Sequence, residues 1–295
     1  MSSHHAESDS KRVQIALVLT GVFMLVEVVG GLLSGSLALL ADAGHMLTDS
    51  MALALAAIAF RVSARPADAK RSYGYHRFQI LAAFVNGLTL VGIVCWILLE
   101  AISRFMAPNE VTGDLMLVVA GAGLLVNVAA FLVLHGGDQE NMNLRGAALH
   151  VMGDLLGSVA AIVAALIIIF TGWMPIDPLL SVFVAALILR SAWDLLKRSA
   201  HVLLEGAPEW LDVRQMQNRI TTAVPDIVSI HHVHVWGLTQ QRVMLTMHIC
   251  VAGGDGDPTE IVRRVKKILL QEFGIDHSTI EVEHELCADE HPAKC

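Results

Sequence analysis

The chain has 295 residues, of which 55% are hydrophobic and only 16% charged, and its mean hydropathy is +0.59. A water-soluble domain does not reach that combination, because too few charges remain to cover its surface. The net charge of −8 is modest and unlocalised, which argues against a nucleic-acid partner held on a basic face.

Residues 1–10 are polar and acidic rather than an apolar signal, so 1–12 reads as an N-terminal cytoplasmic tail, with His4 and His5 as tail residues rather than a metal pair. Six apolar segments follow, at 13–35, 37–60, 79–105, 114–135, 144–171 and 178–196. Each meets the ~20 residues that a helix needs to cross a bilayer. They define an all-α, six-helix transmembrane domain over 13–199, with short links after the first, third and fifth spans.

Lys11 and Arg12 precede the first span, Arg61, Arg65, Lys70, Arg71 and Arg77 lie between the second and third, Arg145 opens the fifth, and Lys197 and Arg198 follow the sixth. Only Arg104 stands near the other side, beside Glu110, Asp114 and Asp177. Basic residues accumulate on the cytoplasmic side of a membrane, so both termini are expected there.

The second span carries Asp42, His45 and Asp49 within LADAGHMLTDSMALA at 40–54, at steps of three and four residues that share one helical stripe. The fifth span repeats the pattern with His150 and Asp154. Ionisable groups in hydrocarbon cost several kcal/mol unless paired, and they mark functional sites by default. Two imidazoles and two carboxylates match the N and O donor set of a tetrahedral divalent ion such as Zn2+, with Cd2+ or Co2+ as further fits. A self-satisfied polar contact would explain one His–Asp pair; two on separate spans weigh against it. Asp42 reads either as a relay for ions or protons or as a hydrogen-bonding group that shapes the helix. Glu27, Asn86 and Asn127 read as cavity-lining or, more commonly, helix-bridging residues.

Binding requires deprotonated ligands, so protons and metal compete for the same side chains. The expected function is therefore proton-coupled antiport of a zinc-like divalent ion across the membrane, with protons as counter-ion.

Beyond Gly206-Ala207-Pro208 the composition turns soluble. Residues 210–223 and 258–273 are predicted helices, and 228–238, 242–251 and 279–286 predicted strands. Helix-strand-strand-helix-strand over 207–286 predicts a small α+β, ferredoxin-like cytoplasmic domain, followed by a polar tail at 287–295. Strict alternation along the first strand sets His232, His234 and Trp236 on one face and His231, Val233 and Val235 on the other. The four cysteines, Cys95, Cys250, Cys287 and Cys295, are widely spaced; no disulfide framework is expected, Cys95 and Cys250 read as packing residues, and Cys287 and Cys295 offer thiolates only on a tail.

The spans, their ligand pairs and the strings SLALLADAGH (36–45), RPAD (65–68), YGYHR (73–77) and HVWGL (234–238) together resemble the cation diffusion facilitator family of metal exporters, from Lys11 to about Leu286. The resemblance implies a homodimer in a lipid bilayer, exporting zinc against inward proton flow through His45, Asp49, His150 and Asp154. It associates histidine at position 45 with zinc preference. It also implies a cytoplasmic metal site at His231, His248 and either Glu283 or His284. The loop site that some bacterial members build from an aspartate and two histidines is expected to be missing, because Asp68 is accompanied by Arg71 and Tyr75 and His76 is a poor replacement. The short link at 136–143 resembles bacterial plasma-membrane (inner-membrane) exporters rather than vesicular ones. Two other functions compete. An intramembrane metalloenzyme would need an open metal position and a general base, for which no motif exists. A metal sensor without transport would leave the ligands in the spans unexplained.

Overall fold

In hydrocarbon, backbone N–H and C=O groups must be satisfied within their own segment, so long apolar runs become helices. The computed structural model describes residues 2–135, 142–239, 241–252 and 257–284. Among them are six helices long and apolar enough to cross a membrane: α1 (Ser2–Ser34), α2 (Leu37–Ser63), α3 (Arg77–Met106), α4 (Gly113–His135), α5 (Met142–Thr171) and α6 (Ile176–Leu203). Helix α1 takes in residues that read as a tail in the sequence, and α6 continues past the expected end at 196. The side chains of His4 and His5, most of the link after the fourth span, and Cys287 and Cys295 lie outside the described residues.

Only 22–33% of each apolar window is buried inside the protein. Val18, Val22, Leu25 and Val29, one stripe of α1, all point outward. Apolar surface of that extent is stable against lipid, not water.

Residues 1–57 and 85–196 form one compact unit. Phe23, Met46, Met116, Val119, Ala161 and Ala165 pack α1, α2, α4 and α5 into one core. A second core of Leu37, Ala41, Val94, Ile97, Ala185 and Ile188 joins α2 to α3 and α6. Helix α2 therefore contributes to both packed groups. Its tight entry depends on Gly35, at φ +70°, where a Cβ would meet the Glu110 carbonyl oxygen at 3.0 Å.

The second unit, residues 58–84 and 197–295, contains α7 (Val213–Ala223), β1 (Ile227–Gly237), β2 (Val243–Val251), α8 (Pro258–Phe273) and β3 (His277–His284). Helix α7 starts later than predicted because the Asp212 carboxylate caps it, accepting from the Arg214 and Gln215 amides. Asp257 caps α8 in the same way, with Pro258 in the first turn and Gly274 closing the other end at φ +63°. Strands order as β1-β2-β3; β1 and β2 are antiparallel, and α8 carries the chain over to a parallel β3. Leu245, Met247, Ile249 and Val251 of β2 pack on Met216, Ile220, Val265 and Leu269 of the helices. Arg219 binds Glu272 through two 2.7 Å hydrogen bonds, tying α7 to α8. This is the expected α+β layer with helices on one sheet face.

One expectation is corrected. His231 pairs with His248 and His234 with Thr246, so two residues of β1, His232 and Val233, oppose Met247 alone. His232 takes a left-handed φ of +46° at this bulge. The alternation reverses there, and His231 shares the helix-free face with His234 and Trp236 instead of opposing them.

Candidate metal centre

On α2, His45 and Asp49 lie one turn apart, as do His150 and Asp154 on α5. Asp49 is the hinge of the group. Its Oδ2 stands 3.7 Å from His45 Nε2 and 3.2 Å from His150 Nε2, and it is buried without a well-aligned hydrogen bond to either. His150 Nε2 is in turn 3.7 Å from Asp154 Oδ2. A tetrahedral ion with bonds of about 2.1 Å separates its ligand atoms by about 3.4 Å, so these spacings straddle the requirement. Donor atoms of His45, Asp49 and His150 all fall within 4.8 Å of one another, while Asp154 joins the trio through His150 alone.

The group borders a cavity of about 480 Å³ between α2, α5 and α6, walled by Asp42, Gly157, Leu180, Phe183 and Leu187. Asp42 thus shares the cavity with His45, His150 and Asp154 and lies 3.8 Å from where a Cβ on Gly157 would stand. It also meets the fully buried Glu27 of α1. Asn127 donates to the Ser158 hydroxyl at 3.2 Å, so it bridges α4 and α5. Glu27, Asn127 and Ser158 are thus buried polar side chains on α1, α4 and α5.

On the helix-free face of the sheet a second cluster forms. Glu283, only 5% exposed, places Oε2 2.9 Å from His231 Nε2 and Oε1 3.0 Å from His248 Nδ1. The His232 ring, brought round by the bulge, lies 5.4 Å from that of His231 and 5.0 Å from that of His248. Donor atoms of His231, His248 and Glu283 fall within 4.8 Å of one another. Between the alternatives Glu283 and His284, the structure brings Glu283; His284 projects to the opposite face and is exposed. Sequence reasoning left His232 out, because strict alternation sets it on the face opposite His231 and the bulge breaks that rule; the run of adjacent histidines was the available signal.

In the loop between α2 and α3, the Asp68 carboxylate is already engaged. It accepts from the Tyr75 hydroxyl at 2.7 Å and from the Lys70 and Arg71 amides at 2.8 Å, bonds that hold its carboxyl below the usual range. Arg71 lies over the Tyr75 ring, and His76 contacts Arg242 at 2.6 Å. Neither Arg71 nor Tyr75 can replace an imidazole ligand there.

A third buried group escaped the sequence reading, which used Asp177 and Arg104 only to weigh charge across the membrane. Asp177, fully buried at the start of α6, accepts from the Ser36 hydroxyl (2.6 Å) and from the Leu37 (2.8 Å) and Ala38 (3.2 Å) amides at the start of α2. Arg104 of α3 approaches it to 3.6 Å. A serine just before an apolar run, read as a helix cap still needing a partner, was the available clue.

A family model of the cation efflux transmembrane domain matches residues 13–204, and one of the cation efflux protein cytoplasmic domain matches residues 208–285. Zinc transporter ZitB of Pectobacterium atrosepticum is 51% identical over 290 residues, covering 98% of this chain and 90% of that protein. Zinc transporter ZitB of Escherichia coli is 50% identical over 288 residues, 97% of this chain and 91% of that one. The cadmium, cobalt and zinc/H(+)-K(+) antiporter of Bacillus subtilis is 42% identical over 291 residues, 97% and 93% of the two chains. Matched across both domains and along almost its whole length, the chain belongs to the cation diffusion facilitator family, as an integral membrane protein of divalent metal cation efflux rather than an enzyme.

Proposed function

We propose that the chain exports Zn2+ from the cytoplasm in exchange for protons, through His45, Asp49, His150 and Asp154. The observation that carries this reading is the position of Asp49 Oδ2 between the imidazoles of two different membrane helices, at 3.7 and 3.2 Å. Two carboxylates neutralise a divalent ion, so the loaded site avoids the cost of a bare charge in hydrocarbon. Mixed imidazole and carboxylate donors favour zinc, with cadmium and cobalt next. The names of the relatives, zinc transporter and cadmium, cobalt and zinc antiporter, support the same cargo. Imidazoles must be neutral to bind metal, so protons arriving from one side displace it and protons leaving to the other readmit it. The basic residues beside the spans support cytoplasmic termini, and the match to the cytoplasmic domain model supports a homodimer.

The second cluster fits a resident divalent ion, because it supplies a buried carboxylate between two imidazoles. His231, His248 and Glu283 would hold it, with His232 alongside. A metal there staples β3 to the β1–β2 hairpin and stabilises the domain.

The test is zinc uptake into proteoliposomes with and without a pH gradient. Uptake accelerated by the gradient and abolished in His45→Ala supports the reading. Zinc that binds but never crosses would return the chain to a sensor.

A further inference from the structure

Asp177 sits on one helix and caps another. The first N–H groups of any helix lack partners within it. At the start of α2 they are all supplied. Leu37 and Ala38 donate to the two Asp177 oxygens at 2.8 and 3.2 Å, Leu39 to the Ser36 hydroxyl at 3.2 Å, and Leu40 to the Ser36 carbonyl at 3.4 Å. Ser36 completes the circuit by donating to Asp177 at 2.6 Å. The carboxylate is fully buried, facing the positive end of the α2 dipole and the Arg104 guanidinium, itself 11% exposed. Arg104 also donates to the Gly35 carbonyl in the α1–α2 turn and to Glu100 at 3.0 Å. The start of α2 is thereby fastened to α6 and α3 through one side chain.

We propose that Asp177 is a positioning residue for the metal centre: by capping α2 from α6 it sets the tilt and height at which α2 presents His45 and Asp49 to His150 and Asp154. The inference rests on the zinc-transport reading above. His45 lies eight residues beyond Leu37, about 12 Å along the axis at 1.5 Å per residue. A tilt of about 5° around the capped end moves the imidazole by ~1 Å, and a site loses its geometry beyond about 0.5 Å. Helix α2 also packs on two separate cores, one with α3 and α6 and one with α1, α4 and α5. Packing alone leaves its attachment divided between them; the cap assigns its first turn to the α3–α6 side.

The experiment uses full-length protein, wild type beside Asp177→Ala, Asp177→Asn and Ser36→Ala, with Asp212→Ala as a control that loses a helix cap far from α2 in sequence and outside the ligand set. Zinc Kd is measured in detergent, and KM and kcat for zinc uptake in proteoliposomes, each scaled to the folded fraction. The expected result is a zinc Kd and KM raised about tenfold or more in Asp177→Ala, less in Asp177→Asn and Ser36→Ala, and unchanged in Asp212→Ala. If Asp177→Ala does not fold, the two milder variants decide by the same criterion. Wild-type Kd and KM per folded molecule in the Asp177 and Ser36 variants would overturn the inference, reducing the cap to a stability element. A wild-type protein that carries no zinc would instead overturn the function on which it rests.

Discussion

Replacing Asp154 by asparagine keeps the size and most of the hydrogen-bonding capacity of the side chain but removes its charge. Its side chain is 6% exposed, against 34% for Asp49, so little water screens it. Breaking a compensated buried charge pair costs about 3–5 kcal/mol, because the remaining charge is left without its partner. At 1.4 kcal/mol per factor of ten, that is a loss of roughly two to nearly four powers of ten in zinc affinity. The depth of Asp154 puts it toward the upper end and that of Asp49 toward the lower. Metal-free stability should move the other way: a buried carboxylate exchanged for a neutral amide leaves Tm unchanged or slightly raised. Competition with a chromophoric chelator reads the affinity, and thermal unfolding in chelator reads the stability. An Asp154→Asn protein within threefold of wild type in zinc affinity would remove Asp154 from the ligand set, and a loss of affinity matched by a collapse in metal-free Tm would mean that the site had merely unfolded.

Glu283→Gln should lower the number of tightly bound zinc ions by one per chain in isothermal titration, whereas His284→Gln should leave the count intact; an equal effect of both would return the assignment to an open choice. In the α2–α3 loop, Tyr75→Phe removes the hydroxyl that Asp68 accepts, so the Asp68 carboxyl should titrate at higher pH in NMR. Because its folded pKa is depressed, any stability it lends is present above the unfolded pKa and fades as pH falls through the folded one. Tyr75→Phe should narrow that acid-sensitive window, and an unmoved titration would mean that the two backbone amides suffice. Leu269→Ala in α8 empties a fully buried core position and should cost about 2–5 kcal/mol of domain stability in denaturant unfolding; a cost under 1 kcal/mol would show that the helix–sheet layer collapses around the gap.

What the sequence disclosed and what it hid divide along physical lines. Six spans were legible because hydropathy acts over twenty residues at a time and tolerates errors at the ends. The His45–Asp49 and His150–Asp154 pairs were legible because i,i+4 spacing on a helix survives any packing. That these two pairs meet required only that α2 and α5 face each other, which a shared charge problem in lipid makes the economical solution. The bulge at His232 was not legible. Alternation is a rule of period two, and one inserted residue reverses every assignment beyond it, with no local signal as strong as a glycine to announce it. Asp177 was hidden for a different reason: its partners, Ser36, Leu37 and Ala38, are about 140 residues away, and backbone amides leave no trace in composition. Ser36 and Gly35 mark that a turn and a cap exist, but not which side chain completes them.

The central claim is that two membrane helices share one divalent ion, and zinc K-edge X-ray absorption on a full-length Glu283→Gln protein loaded with one zinc per chain examines it most directly. The account expects a four-coordinate shell of nitrogen and oxygen at about 2.0–2.1 Å, with imidazole scattering from two histidines that falls to one in His150→Ala. A shell of six oxygens, or imidazole scattering unaltered by His150→Ala, would contradict it.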